Sequence, residues 1–181
     1  RGDDDAARDI ATQMLAFTAR HSLGNWHAWA RRLKAALDLR AGLLTRREAL
    51  ALLQEEASGP LHADFAATFS PDLLSPLALD RADRGLAGWA TAEIWRAAGE
   101  DLRRAGDPAG ARRRFQQAFD RSMQAGACSW ALRAATSLVQ LAPSAEAMLQ
   151  LGRLYDSFSE GHDTADLQAA GRALRDAHRI T

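Results

Sequence analysis

Apolar positions along this chain recur at helical spacing nearly throughout and do not alternate as they would in a half-buried strand. The clearest stretch is 92–123, AEIWRAAGEDLRRAGDPAGARRRFQQAFDRSM. Trp95, Gly99 and Leu102 fall at i, i+4 and i+7, on one face of a helix. Gly106-Asp107-Pro108 then supplies a C′ glycine, an N-cap carboxylate and an N1 proline, which stop that helix and start another. Ala111, Phe115 and Ala118 repeat the spacing on the second helix. Small residues at Gly99 and Ala111 let the two backbones approach, while Trp95, Leu102 and Phe115 fill the space around the crossing. The pattern predicts a helical hairpin with small and large residues alternating at its seam.

The same reading extends to both ends. Asp3, Asp4 and Asp5 precede a first helix with Ile10, Met14 and Phe17 on one face, and their charges suit a helix start. Gly24-Asn25 is read as the break, with Asn25 as N-cap of a second helix striped by Trp26, Ala30, Leu33 and Leu37 and ended by Gly42. Thr45 and Glu48 have capping-box spacing and open a third helix that runs through Leu53. Gly59-Pro60 closes this earlier hairpin. Pro71 and Pro76 interrupt the following stretch, which leaves room for short helices at 61–69 and 76–86. After Gly126, Leu132, Ala135, Thr136 and Val139 mark one helix, and Ala147, Leu151, Leu154 and Phe158 the next, which starts at Pro143-Ser144. Asp163-Thr164 caps a last helix that carries Leu167 and Leu174.

The central hairpin resembles a tetratricopeptide repeat (TPR), whose pattern of large and small residues is matched at Trp95, Gly99, Ala111, Phe115 and Ala118. Ala98 and Leu102 depart from the usual leucine and tyrosine and stay apolar. The strings SWALRAATSL and YDSFSEGHDTADLQAA, and HSLGNWHAWARRL near the start, resemble the TPR array of large bacterial signal-transduction ATPases. In those proteins the array is joined to a nucleotide-binding switch and to a winged-helix or nucleotide-cyclase domain. The resemblance implies an all-α fold: a TPR-like superhelix of stacked antiparallel helical hairpins with a C-terminal capping helix. It is expected to form one domain over 1–181, with its best repeat at 92–125, degenerate repeats at about 25–57 and 129–160, and an irregular middle at 60–88.

Composition narrows the function classes. Lys and Arg together number 23 and Asp and Glu also 23, so no basic footprint points to nucleic acid. No apolar run approaches the roughly 20 residues that span a membrane. Cys128 is the single cysteine, which excludes an internal disulfide and fits a reducing cytoplasm. Lys34 is the only lysine among many arginines, a bias expected of GC-rich bacterial coding.

Catalytic chemistry is weakly represented. His162, Asp163 and Asp166 match no standard ligand spacing, and Asp163 is better used as a cap. His21 and His27 flank a helix break without a partnered carboxylate motif, and Cys128 has no histidine partner in the sequence pattern. No P-loop motif is present, so neither a cofactor nor a metal is expected, nor an enzyme. Arg112, Arg113 and Arg114 lie between Ala111 and Phe115, which directs them away from the seam to a solvated face.

A more informative set lies opposite the packing face of the first arm. Glu93, Arg96, Glu100 and Arg103 recur every three or four residues. Their alternation of sign fits side-chain pairing along one helix. The TPR resemblance places the same positions in a concave groove and adds Trp130 and Arg133 from the next hairpin. An aromatic ring beside a guanidinium suits a protein or peptide segment or a small effector. The expected function is thus a non-catalytic sensing module of a bacterial signalling ATPase or transcriptional regulator. The alternative is a free-standing TPR adaptor that scaffolds a protein assembly.

Overall fold

A computed structural model describes residues 3–54 and 60–179. Among the described residues the chain forms helices and no strand. It divides into two compact units, Asp3–Ala90 and Thr91–Thr181.

The N-terminal unit contains α1 (Asp4–Arg20), α2 (Gly24–Arg40), α3 (Arg46–Gln54), α4 (Pro60–Phe69), a 3-10 turn at Pro71–Leu73, α5 (Pro76–Asp83) and a second 3-10 turn at Gly88–Ala90. The acidic run starts α1 as expected, with the Asp3 side chain accepting the Ala6 N–H at 3.0 Å. Its apolar stripe is placed differently. Ile10 and Phe17 are 63% and 58% exposed, and the buried positions are Ala11 and Thr18. These two share the same seven-residue spacing one position further round the helix. Thr18 and His27 join α1 to α2 through an Oγ–Nδ1 hydrogen bond of 2.9 Å, so the small, polar face is the one that packs.

The break between α1 and α2 also differs from the expectation. Asn25 is not the cap: α2 begins at Gly24, with Leu23 at the N-cap position and no side-chain cap bond. The turn is made at Ser22, whose φ is +54°. Ser22 N–H donates to Ala19 O and Leu23 N–H to Thr18 O, the paired bonds of a Schellman motif. Ser22 thus occupies a left-handed position usually held by glycine. Gly42 ends α2 with the same pair of bonds, its own N–H donating to Leu39 O and the Leu43 N–H to Asp38 O, as the sequence predicts.

The capping box is present. Thr45 N–H and its hydroxyl donate to the Glu48 carboxylate at 2.8 and 2.7 Å, and Glu48 N–H donates back to Thr45 Oγ1. The Thr45 backbone bond, then its hydroxyl, hold the Glu48 pKa below the ordinary glutamate value. Gly59 and residues 55–57 of the first degenerate repeat lie outside the described residues. In the middle stretch the prolines start elements as well as interrupting them. Ser70 and Ser75 each accept an N–H, from Asp72 and Ala78, and each is followed by a proline at N1. The core here is alanine-rich: Ala36, Ala49, Ala66 and Leu73, with Leu39, Leu44, Leu53 and Phe69 against them.

The C-terminal unit contains α6 (Thr91–Arg104), α7 (Pro108–Gln124), α8 (Cys128–Leu141), α9 (Ala145–Asp156) and α10 (Ala165–His178). Gly106 (φ +81°) ends α6, and Asp107 caps α7 by accepting the Gly110 N–H at 2.8 Å, with Pro108 at N1. The seam is as tight as the spacing implies. A Cβ on Gly99 would lie 2.4 Å from the Phe115 ring, and Ala111, Phe115 and Ala118 are buried. Leu132, Ala135, Val139, Leu151, Leu154, Leu167 and Ala170 continue the core through α8, α9 and α10. Ser144 caps α9 through the Ala147 N–H. At α10 the turn closed by Thr164 N–H on Gly161 O puts Thr164 at the cap without a side-chain bond, and Asp163 is exposed one residue outside it.

Candidate functional site

The charged positions of α6 are joined to α8 and α10 within the C-terminal unit. Arg96 Nε and Nη2 donate to the Glu93 carboxylate at 2.6–3.1 Å, one helical turn away. Arg133, reaching from α8, places Nη2 2.9 Å from the same Glu93 Oε1. Arg96 Nη1 also lies 3.7 Å from Glu100 Oε1, which accepts the Ser137 hydroxyl of α8 at 3.1 Å. Arg103 Nε donates to Glu100 Oε2 at 2.9 Å, and Arg133 Nε stands 3.7 Å from Asp166 Oδ1 at the start of α10. Three guanidinium groups thus meet three carboxylates in one connected set.

Five of the six residues singled out from the sequence fall in this set: Glu93, Arg96, Glu100, Arg103 and Arg133. Their exposure is graded, and this corrects the expectation of an open line opposite the packing face. Glu93 is 1% exposed and Arg96 7%, because α6 packs against both α7 and α8. A carboxylate this deep is tolerated because two guanidinium groups converge on it. Burial by itself lowers the Arg96 pKa. The charge and hydrogen bonds of Glu93, with the charges of Glu100 and Asp166, outweigh that and hold it above the ordinary arginine value. Arg96 is therefore a fixed cation. The solvent-facing end of the set is Arg103, Arg133 and Asp166, with half-buried Trp130 one turn before Arg133 on α8.

Ser137 and Asp166 were not anticipated as members. Ser137 follows Arg133 by four residues and so shares its face, a signal the periodicity does carry. Asp166 enters the sequence analysis only within a histidine–aspartate spacing that matches no metal-ligand pattern. Among the described residues, no group of three or more His, Cys, Asp and Glu is placed to hold a metal ion. His162 is exposed and packs on Tyr155, with ring centroids 5.5 Å apart. His21 packs on Phe17, and Cys128 is exposed at the first turn of α8. Arg112 and Arg113 are exposed, as their position between Ala111 and Phe115 implies, whereas Arg114 is half-buried.

A second buried ion pair, in the N-terminal unit, escaped the sequence reading. Asp64, 2% exposed, accepts both Nε and Nη2 of Arg81 at 3.0–3.1 Å, across 17 positions of sequence. Hydrogen bonding to Asp64 raises the Arg81 pKa further. Next to it stands a ring cluster of Trp29, His62, Phe65, Phe69 and Trp89, with centroid spacings of 4.4–5.1 Å.

No described helix is long and apolar enough to cross a membrane. In comparisons with known proteins, no family model, no curated protein and no solved structure matches the chain.

Proposed function

We propose that the C-terminal unit is a TPR-type repeat module that binds a protein or peptide segment, and that it serves as the non-catalytic sensing part of a bacterial signalling ATPase or transcriptional regulator. What supports this reading is the linkage of the two first-arm helices. Glu93 and Glu100 of α6 are bonded to Arg133 and Ser137 of α8, which lines up the charged faces of successive hairpins. Along that line the buried pairs fix the backbone register, and Arg103, Arg133, Asp166 and Trp130 present mixed charge beside an indole. Such a surface favours an extended segment carrying both an acidic and an apolar side chain over nucleic acid. The parent protein in this reading supplies the switch domain, and occupancy of the surface biases it.

The test uses peptides selected from a displayed random library against the purified chain. Arg103→Glu and Trp130→Ala are expected to weaken the selected peptides about tenfold or more, and the pair Arg112→Glu and Arg113→Glu to leave them unchanged. Peptides that bind all variants alike remove this surface from consideration. Coding sequence around the segment for a P-loop and a winged helix favours the regulator, and its absence favours the adaptor.

A further inference from the structure

The stripe that the sequence offers as the buried face of α1 is left uncovered by the fold. Ile10 and Phe17 are exposed, as is the His21 ring that packs on Phe17, and Met14 between them is half-buried. The four follow one another at spacings of four, three and four residues, the alternation along which two helices pack in a continuous seam. Leu23 and Trp26, in the turn after α1 and in the first turn of α2, are exposed as well. Single exposed apolar residues are ordinary on a protein surface. A set of them at seam spacing marks an interaction surface.

The charges beside the stripe favour one occupant. Asp4, Asp5 and Asp9 stand in the N-terminal half of α1, and Arg20 ends it. Within the chain, Arg40 lies 2.9 Å from Asp4 and Arg8 2.8 Å from Asp5. Asp9 and Arg20 are exposed and make no ion pair among the described residues. Both lie on the flank of the stripe turned away from Ala11 and Thr18, the residues that α1 buries. A flank with an anion at one end and a cation at the other complements itself when a second copy runs antiparallel. With a two-fold axis beside Met14, Ile10 comes level with Phe17 of the second copy, and Arg20 comes within one turn of its Asp9. The same direction sets opposite ends of the two helix dipoles side by side. A parallel pair sets Asp9 on Asp9 and Arg20 on Arg20, which repel.

We infer that the chain pairs with a second copy of itself through α1, antiparallel about a two-fold axis. Ile10, Met14 and Phe17 form the seam, and Asp9 of each copy faces Arg20 of the other. A seam one helix wide and roughly 25 Å long buries less than about 1,200 Å² in total, the low end for specific interfaces. The dimer is therefore expected to dissociate in the micromolar range. This face shares no residue with the peptide surface of the C-terminal unit, so either assignment can fail without the other.

The experiment is sedimentation equilibrium of the whole chain at low salt, from about 1 μM to about 500 μM. The mass is expected to rise from monomer to dimer and no further. Phe17→Glu is expected to weaken the dimer about tenfold or more, with the circular dichroism spectrum of the parent because Phe17 is exposed. Asp9→Arg and Arg20→Asp are each expected to weaken it about threefold or more, since each sets like charges together at both ends. Mixing those two variants is expected to recover the parental affinity, because each supplies the charge the other lacks. A chain that stays monomeric throughout assigns the face to another occupant and overturns the inference. A dimer indifferent to Phe17→Glu or to the single reversals, or a mixture that recovers nothing, overturns it equally.

Discussion

The two units bury their polar groups and their bulk in different ways. In the C-terminal unit a glycine faces a phenylalanine with no space between them, and the buried carboxylate Glu93 is shared by two arginines from two helices. In the N-terminal unit the core is mostly alanine, a cavity remains beside Ala66, and the buried carboxylate Asp64 has Arg81 as its one partner among the described residues. The first arrangement is redundant and tight. The second is singly supported and leaves room. Close packing needs a small residue opposite a large one at each crossing, and the spacing of Gly99 and Phe115 provides that where a run of alanines does not.

The largest effect that separates the two is loss of the seam filler. Phe115→Ala is expected to cost about 3–5 kcal/mol in urea unfolding, since it empties a fully buried aromatic site. Gly99→Leu is expected to cost roughly 1–3 kcal/mol by overpacking against the same ring. Ala66→Leu, which adds three carbons beside a cavity where Gly99→Leu adds four against a ring, is expected to cost less than Gly99→Leu. Equal costs at the two positions erase the contrast in packing.

Redundancy of the buried charges is the next test. Arg96→Met leaves Glu93 still bonded to Arg133, so the expected cost is about 1.5–3 kcal/mol, that of a hydrogen bond to a charged group. Arg81→Met leaves Asp64 buried without a cation and is expected to lower the urea midpoint more, although Arg81 is the more exposed arginine. The reverse order shows that Arg133 does not share the load on Glu93.

The smallest expected effect is a gain. Ser22 holds φ +54° in the turn after α1, and Ser22→Gly relieves that strain at the expense of a more flexible unfolded chain. A net stabilisation of about 0.5–1 kcal/mol is expected, read as a raised thermal midpoint. No change, or a loss, means that the serine side chain compensates its own backbone.

Local signals match the structure at several helix ends where chemistry and geometry sit within one turn of helix, though not at Asn25 or Asp163. Asp107-Pro108, Thr45 with Glu48, Gly42 and Gly106 determined their helix ends from the sequence, because a cap is satisfied by residues three or four positions away. The crossing of Gly99 with Phe115 was legible for a similar reason: one short turn fixes the register of two helices. The α1 turn was misread because its left-handed residue is a serine, and Gly24 nearby drew the assignment forward.

What only the tertiary structure decided is which of several helical faces is covered. The sequence offered Ile10, Met14 and Phe17 as the buried stripe of α1, and packing chose Ala11 and Thr18. It offered Glu93 and Arg96 as an open line, and α8 closed over them with Arg133. Periodicity gives the angle between residues on a helix and not the direction of its neighbours. Asp64 and Arg81, 17 positions apart, carry no local mark of belonging together. Their pairing exists only once α4 and α5 are packed, since a buried carboxylate is stable only where the fold delivers it a cation.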